Sequence, residues 1–308
     1  MNLIVGSDGF LGQHLAAYLE RRGQPVHRIG RTGGDLADWA NVERLFRAAP
    51  AASRIFHVVT RQRTGQVQYA MQGELLAINA HIHLNVLEAW RLFQPQAKLV
   101  STGSSCVYPE FDRPIAEDNF QAGPMHASVR GYGLAKQLLA VGSETYSSQY
   151  GLRYLHLFLA TLYGPHDHKA PDRAHFMGGM IDRAVKEMRE GRTEFTVWGD
   201  PGTVRDLLYV EDQIEAILAA DAAFENTQLN CSSNEPVTIG AVAHAIRDAL
   251  GWKAEIVYPP GTFKGASYKT IDATRFIEAT AWKPRVPLVE GIRAVLRADY
   301  SGNVPVGS

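Results

Sequence analysis

Cysteine is scarce in this 308-residue sequence, which holds only Cys106 and Cys231. Two thiols cannot build a disulfide framework, so a reducing, cytoplasmic compartment is expected. No apolar run reaches the length of a membrane span, and the N-terminus has neither a basic cluster nor a signal-length apolar stretch. An excess of either charge is also missing: 31 Lys and Arg stand against 32 Asp and Glu, a net charge of -1. That balance excludes a general field for nucleic acid or an anionic membrane, so local cations must grip any anionic ligand. Neither an internal repeat nor a low-complexity segment is found. What is present is 45% hydrophobic and 20% charged, the composition of a folded chain with room for one large or two ordinary domains.

The chain opens on a short apolar run, Leu3-Ile4-Val5, followed by GSDGFLG and a helical pattern through Leu11, Leu15 and Leu19. Gly6, Gly9 and Gly12 stand at G-x-x-G-x-x-G spacing. The first permits a tight turn, the second lets backbone approach a pyrophosphate, and the third lets the helix pack closely. With Phe10 and Leu11 they open a helix whose free N–H groups suit phosphate. The bland alternative is a glycine-rich turn that binds nothing. The next strand is expected from Pro25 to Gly30. Arg31 follows it, where an acidic residue would favour NAD. A guanidinium there suits a 2′-phosphate and hence NADP, unless it is simply solvated. Asp35 and Leu36 come next and can touch the adenine, although the same stretch can cap a helix from Trp39 to Ala48.

Further strands are expected at Arg54–Val59, Lys98–Ser104 and Leu152–Leu159, with a long helical stretch from about Val67 to Phe93. Strand–helix alternation of this kind predicts an α/β fold, a Rossmann-type doubly wound parallel sheet. Beyond Tyr163-Gly164-Pro165 the pattern loosens into a loop over a site. A helix over Phe176–Arg189, a strand over Thr193–Trp198, and helices over Glu211–Ala223, Ile239–Leu250 and Leu288–Ala298 are expected after it. Residues 1–165, with a returning segment at about 205–235, read as the dinucleotide-binding domain. Residues 166–308 read as a smaller, mixed, mainly substrate-binding domain.

Tyr132 and Lys136 lie four residues apart and share one face if their segment is helical. A lysine cation one turn away is expected to lower the phenol's pKa and let it trade a proton with a substrate oxygen. Such a pair also occurs by chance on solvated helices. Ser104 ends the preceding strand, and ligands of open α/β sheets bind beyond the carboxyl ends of strands. Taken alone, Cys106 suits a small buried core residue and His175 one loop histidine among eleven. His166 and His168 read as loop residues, and no ligand set for a metal is found.

The glycine motif, Ser104 and Tyr-x-x-x-Lys, in this order, resemble the extended short-chain dehydrogenase/reductase superfamily of nucleotide-sugar epimerases, reductases and dehydratases. The likeness runs through Trp198-Gly199 and Arg205 to Asp212. GSSCVYP, LYGPHD and His175 narrow it to the GDP-L-fucose synthase family. That resemblance implies a homodimer that epimerises a GDP-linked 4-keto-6-deoxy sugar beside its keto group and reduces C4 with NADPH. It implies Ser104, Cys106, Tyr132, Lys136 and His175 as catalytic residues. Gly6, Gly9, Phe10, Leu11, Gly12, Arg31, Asp35, Leu36 and Leu162, with Tyr132 and Lys136, are then the cofactor site. Ser105, Arg183, Trp198, Arg205 and Lys269 are the substrate site.

The sequence departs from that family at Thr60-Arg61-Gln62-Arg63-Thr64-Gly65-Gln66, at Val58-Val59-Thr60 and at Leu159-Ala160-Thr161. These stretches border the sugar and nicotinamide positions. A heptose is therefore as admissible as a hexose, and epimerisation at one carbon as admissible as at two. Two other functions stay open. One is an NAD(P)-dependent sugar 4-epimerase or simple 4-ketoreductase in which Cys106 and His175 are structural. The other is a dinucleotide-binding module without turnover.

Overall fold

The computed structural model describes residues 1–170, 172–260 and 267–301, so the tail of the expected second domain, 302–308, lies outside the described residues. The strands in chain order are β1 (Asn2–Val5), β2 (Val26–Ile29), β3 (Arg54–His57), β4 (Lys98–Ser104), β5 (Tyr154–Leu159), β6 (Thr161–Tyr163), β7 (Glu194–Thr196), β8 (Val204–Tyr209), β9 (Thr227–Cys231), β10 (Pro236–Thr238), β11 (Glu255–Val257) and β12 (Tyr268–Lys269). The α-helices are α1 (Phe10–Arg21), α2 (Trp39–Ala48), α3 (Gly65–Ala70), α4 (Gln72–Phe93), α5 (Arg130–Tyr150), α6 (Phe176–Arg189), α7 (Val210–Ala223), α8 (Ile239–Ala249), α9 (Thr274–Thr280) and α10 (Leu288–Asp299).

The main sheet runs β2-β1-β3-β4-β5-β9 with every neighbouring pair parallel. Apolar residues of β1, β3, β4 and β5 point to both faces because both faces are covered. Side chains alternate between the faces. Ile4, Phe56 and Val100 pack with Leu11, Leu15 and Leu19 of α1 and with Ile214 and Ile217 of α7. Leu3, Val5, Ile55 and Leu99 pack on the other side with Phe46, Val86 and Trp90. Each such fully buried aliphatic side chain stabilises the fold by about 1.5–3 kcal/mol. The sheet is thus the doubly wound parallel sheet that the alternation predicts.

A second core gathers Met177, Ile181 and Val185 of α6, Phe195, Leu207, Val242 and Ile246 of α8, and Ile292 and Leu296 of α10. Its strands are short. β8 pairs with β10, β12 and β6, and β7 pairs with β11. In the segment 205–235, β8 belongs to this smaller sheet, whereas α7 and β9 return to the main one. Two- and three-residue strands carry no periodicity, which is why β6, β10, β11 and β12 escape a sequence reading.

The long helix expected from Val67 to Phe93 is two helices. Met71 leaves helical geometry at φ -108° and ψ 23°. The break lets Gln72 turn to α5: its amide donates to Ser128 O at 2.6 Å and its oxygen accepts from Gly131 N. Tertiary contact overrides local propensity at this point.

The turn after β1 depends on close approach. Gly6 sits at φ +98°, a region that favours glycine, and a Cβ there would lie 2.6 Å from Val59 N. A Cβ on Gly12 would lie 2.1 Å from the Gly6 carbonyl oxygen, so α1 rests directly on the turn. Gly12→Ala is therefore expected to cost about 2 kcal/mol or more, read as a lower urea midpoint. An unchanged midpoint would mean that the helix does not need this approach.

Candidate active site

β1 lies between β2 and β3, so the chain leaves it in opposite directions along the sheet. A crevice opens where the order reverses. It forms a cavity of about 310 Å³ beyond the carboxyl ends of β1 to β5.

At one end stand Gly6, Gly9, Phe10 and Leu11 from the first turn, with Arg31, Asp35 and Leu36 after β2. Gly9 is the N-cap of α1. It offers no side-chain cap, and the first turn holds no acidic residue. The free N–H groups of that turn therefore suit an anion, and a dinucleotide pyrophosphate fits them. Gly12 lies beneath the turn and does not line the cavity. Asp35 caps its own turn, accepting from Ala37 N at 3.1 Å, and Asp38 caps α2 through Ala40 N at 3.0 Å. The capping alternative for this stretch is thus realised, while Asp35 and Leu36 also face the cavity.

At the centre stand Ser104, Ser105, Cys106, Tyr132, Lys136, Leu162 and Lys269. β4 delivers Ser104, whose hydroxyl accepts from Cys106 N at 3.2 Å and so starts the turn Ser105–Val107. α5 delivers Tyr132 and Lys136 on one face, both buried. Gly133 lets α5 sit against that turn, since a Cβ there would lie 3.0 Å from Cys106 O. Lys269 comes from β12, and its ammonium donates to Cys106 Sγ at 2.7 Å. Burial pushes the Cys106 thiol up, but the charge and hydrogen bond of Lys269, the Ser104 hydroxyl and the charge of Arg205 together hold it below its usual value. Cys231 lacks such cations, and burial drives it upward.

The expected lowering of the Tyr132 pKa is not found. Burial raises it, the neighbouring Cys106 charge raises it further, and hydrogen bonds from Ser104 and Thr60 offset only part of this. The physical reason is burial, which acts on Lys136 as well. Burial pushes that lysine down to about 7, against which the Cys106 charge acts upward. It is therefore only partly charged near neutrality. Its amine donates to Thr102 O at 2.8 Å. The same burial protects the phenol's proton and weakens the cation meant to remove it.

His175 lines the cavity from the start of α6. Its Nδ1 pairs with Asp167 Oδ1 at 2.7 Å. Asp167 is buried, also accepts from His168 N at 2.8 Å, and keeps Oδ2 without a partner. A carboxylate on Nδ1 leaves Nε2 as the free nitrogen of the ring. Asp167 was missed from the sequence, although it is the last residue of LYGPHD. Thr60, Thr102 and the buried Asn79 were missed too, and nothing in their local sequence signals them. Asn79 holds the loop after β3, bonding Arg61 N at 2.7 Å and Arg61 O at 2.8 Å.

The expected substrate cations divide. Lysine 269 is in the cavity, as Lys269 Nζ pairs with the thiol. Arg205 does not line it, but its charge reaches Cys106, and its guanidinium donates to Val204 O at 2.8 Å. Arg183 and Trp198 also stand outside the lining and pair with each other, the guanidinium carbon 3.3 Å from the ring centroid. Beneath Lys136, the fully buried His57 and His83 share a 2.9 Å hydrogen bond and His156 bonds Ser101 at 2.7 Å. Burial, with the charge of Lys136, keeps all three well below the usual histidine range. Among the described residues, no group of three or more His, Cys, Asp or Glu is placed to hold a metal.

Comparison with known proteins places the chain in a family. The chain is 27% identical to a probable GDP-L-fucose synthase 1 of Oryza sativa subsp. japonica, over 94% of this chain and 88% of that protein. It is also 27% identical to the GDP-L-fucose synthase of Escherichia coli, over 94% and 93% of the two chains. The fold matches a GDP-6-OMe-4-keto-L-xylo-heptose reductase from C. jejuni with a TM-score of 0.86 at 21% identity, covering 96% of each chain. Residues 2–232 match the NAD dependent epimerase/dehydratase family, and the chain belongs to it.

Proposed function

We propose that this protein is an NADP-dependent epimerase/reductase of a GDP-linked 4-keto-6-deoxy sugar. One observation carries the proposal: a proton-donor group of Ser104, Tyr132 and Lys136 shares a single cavity with a cation-paired thiol and a carboxylate-paired histidine. A simple reductase has no use for the last two. The curated relatives, named GDP-L-fucose synthases, support the same function.

The N–H groups of the first turn of α1 hold the cofactor's pyrophosphate, and Arg31 holds its 2′-phosphate. When bound, NADPH supplies the hydride. The keto group acidifies the hydrogens on the carbons beside it. Cys106, kept toward thiolate by Lys269, removes such a proton. His175, oriented by Asp167, returns a proton to the opposite face and inverts the carbon. Tyr132 gives its proton to the C4 oxygen, and Ser104 holds that oxygen. A phenol of raised pKa is protonated at neutral pH, which is the form that reduction requires. Lys136, which burial pushes down to about 7, can reload the phenol with a proton from its ammonium form. Lys269, Arg205, Arg183 and Trp198, with Ser105, are assigned to the GDP-sugar. A homodimer in the cytoplasm belongs to the same proposal.

The two activities are expected to separate on mutation. With Tyr132→Phe, reduction should fall by about 10²-fold or more while deuterium exchange beside the keto group continues. With Cys106→Ser, exchange should fall sharply while NADPH still binds. With His175→Asn or Asp167→Asn, exchange should begin but inversion should fall about tenfold or more with little change in KM. Wild-type product at the wild-type rate from both the Cys106 and His175 variants would leave a simple ketoreductase.

The cation beside the thiol has its own test. Alkylation of Cys106 by iodoacetamide, followed against pH, should show a midpoint below that of an ordinary thiol. Lys269→Met should move the midpoint upward. Identical profiles would remove Lys269 from thiol activation.

A further inference from the structure

Three arginines of the cavity have no role in the proposed reaction: Arg61 and Arg63 after β3, and Arg173 before α6. The reaction itself requires anion contacts at the cofactor phosphates and at the nucleotide diphosphate. Arg31 and the first turn of α1 are assigned to the former, and Lys269, Arg205 and Arg183 to the latter. Thr60, next to Arg61, lines the cavity with Tyr132 and acts on its phenol. Arg173 stands two residues before His175. In sequence Arg61 thus adjoins Thr60 and Arg173 lies near His175, and all three arginines line the same cavity.

This end of the cavity is built and tied together. Asn79, fully buried, fixes the backbone of Arg61 on both sides. Thr64 N donates to Asp172 O at 3.0 Å and joins the loop after β3 to the loop before α6. The Asp172 carboxylate stands 3.5 Å from Arg63 Nε and 3.9 Å from Arg173 Nε. Those ion pairs are loose, and Asp172 is 41% exposed. Such pairs add little stability. One half-exposed carboxylate does not balance the two guanidinium groups beside it. Like charges held together beside a cavity are costly unless an anion enters it. Planar guanidinium groups bind paired oxygens in two-pronged fashion.

We propose that Arg61, Arg63 and Arg173 form an anion clamp beside the reacting carbons, and that the accepted sugar carries an acidic group of its own, a carboxylate or a phosphate, in addition to the nucleotide diphosphate. The inference rests on the GDP-sugar function proposed above and narrows its substrate class. The remainder of the sugar is then read by charge and not by shape alone.

Two probes of the same nucleotide test it: GDP-mannose, whose sugar is neutral, and GDP-mannuronate, whose sugar bears a carboxylate. Binding is measured by calorimetry on the NADPH-loaded protein at constant ionic strength. GDP-mannuronate is expected to bind about tenfold more tightly or better. In Arg61→Gln/Arg173→Gln and in Arg63→Gln the preference should shrink to about twofold or less, with NADPH affinity unchanged. Displacement of GDP-mannuronate by inorganic phosphate or by acetate shows which oxyanion the clamp prefers. Equal affinity for both probes overturns the clamp and leaves the GDP-sugar function standing. A loss of NADPH affinity in the variants also overturns it, by assigning these arginines to the cofactor phosphates. Binding of NADPH with neither GDP probe overturns the GDP-sugar function itself, and the clamp with it.

Discussion

All six strands of the main sheet point the same way, and everything at the site follows from that. Parallel strands send every following loop out at one end of the sheet. Because the chain turns back on itself at β1, the loops after β1 and β3 diverge and leave a gap between them. Residues as far apart as Gly9, Thr60, Ser104 and Leu162 reach one cavity without any of them lying near another in sequence. The second sheet, through β12, then closes the cavity from above the thiol with Lys269.

Within that cavity, burial and charge work against each other with different outcomes for each group. Burial dominates at Tyr132 and Lys136, which are driven toward their neutral forms. Paired cations dominate at Cys106, which is driven toward thiolate although it too is buried. A phenol with its proton on and a thiol with its proton drawn off are what a site needs if it is to give a proton to oxygen and take one from carbon. The same low-dielectric surroundings achieve both, and the arrangement of Lys269 and Arg205 decides between them.

Most of the main sheet was legible from short apolar runs such as Leu3-Ile4-Val5 and from the leucine that α1 repeats every four residues, whereas the polar edge strand β9, Thr-Gln-Leu-Asn-Cys, was not. The nucleotide end of the cavity was legible for a similar reason: Gly6, Gly9 and Gly12 form a local pattern with a local mechanical cause. The protonation states were not. Tyr132 and Lys136 are adjacent on a helix, so sequence spacing suggests that each acts on the other, yet the layer of buried side chains around them comes from β3, β4 and β5 and no spacing encodes it. Asp167 stood in plain view within LYGPHD, but its role depends on His175 folding back across eight residues to meet it. Met71 shows the opposite case, where a helical pattern ran on and a contact with α5 broke it.

The pairing of Lys269 with Cys106 has a consequence for biosynthesis. Every strand of the main sheet lies within the first 231 residues, whereas the cation that draws the proton off the thiol arrives at residue 269. A growing chain can therefore lay down Ser104, Tyr132 and Lys136 while Cys106 still lacks its principal activator. The thiolate, the form most open to oxidation and to stray electrophiles, is favoured only once the strand that carries Lys269 has left the ribosome and docked beside β8. The sulfur is thus drawn toward thiolate only as β12 docks and closes the cavity over it.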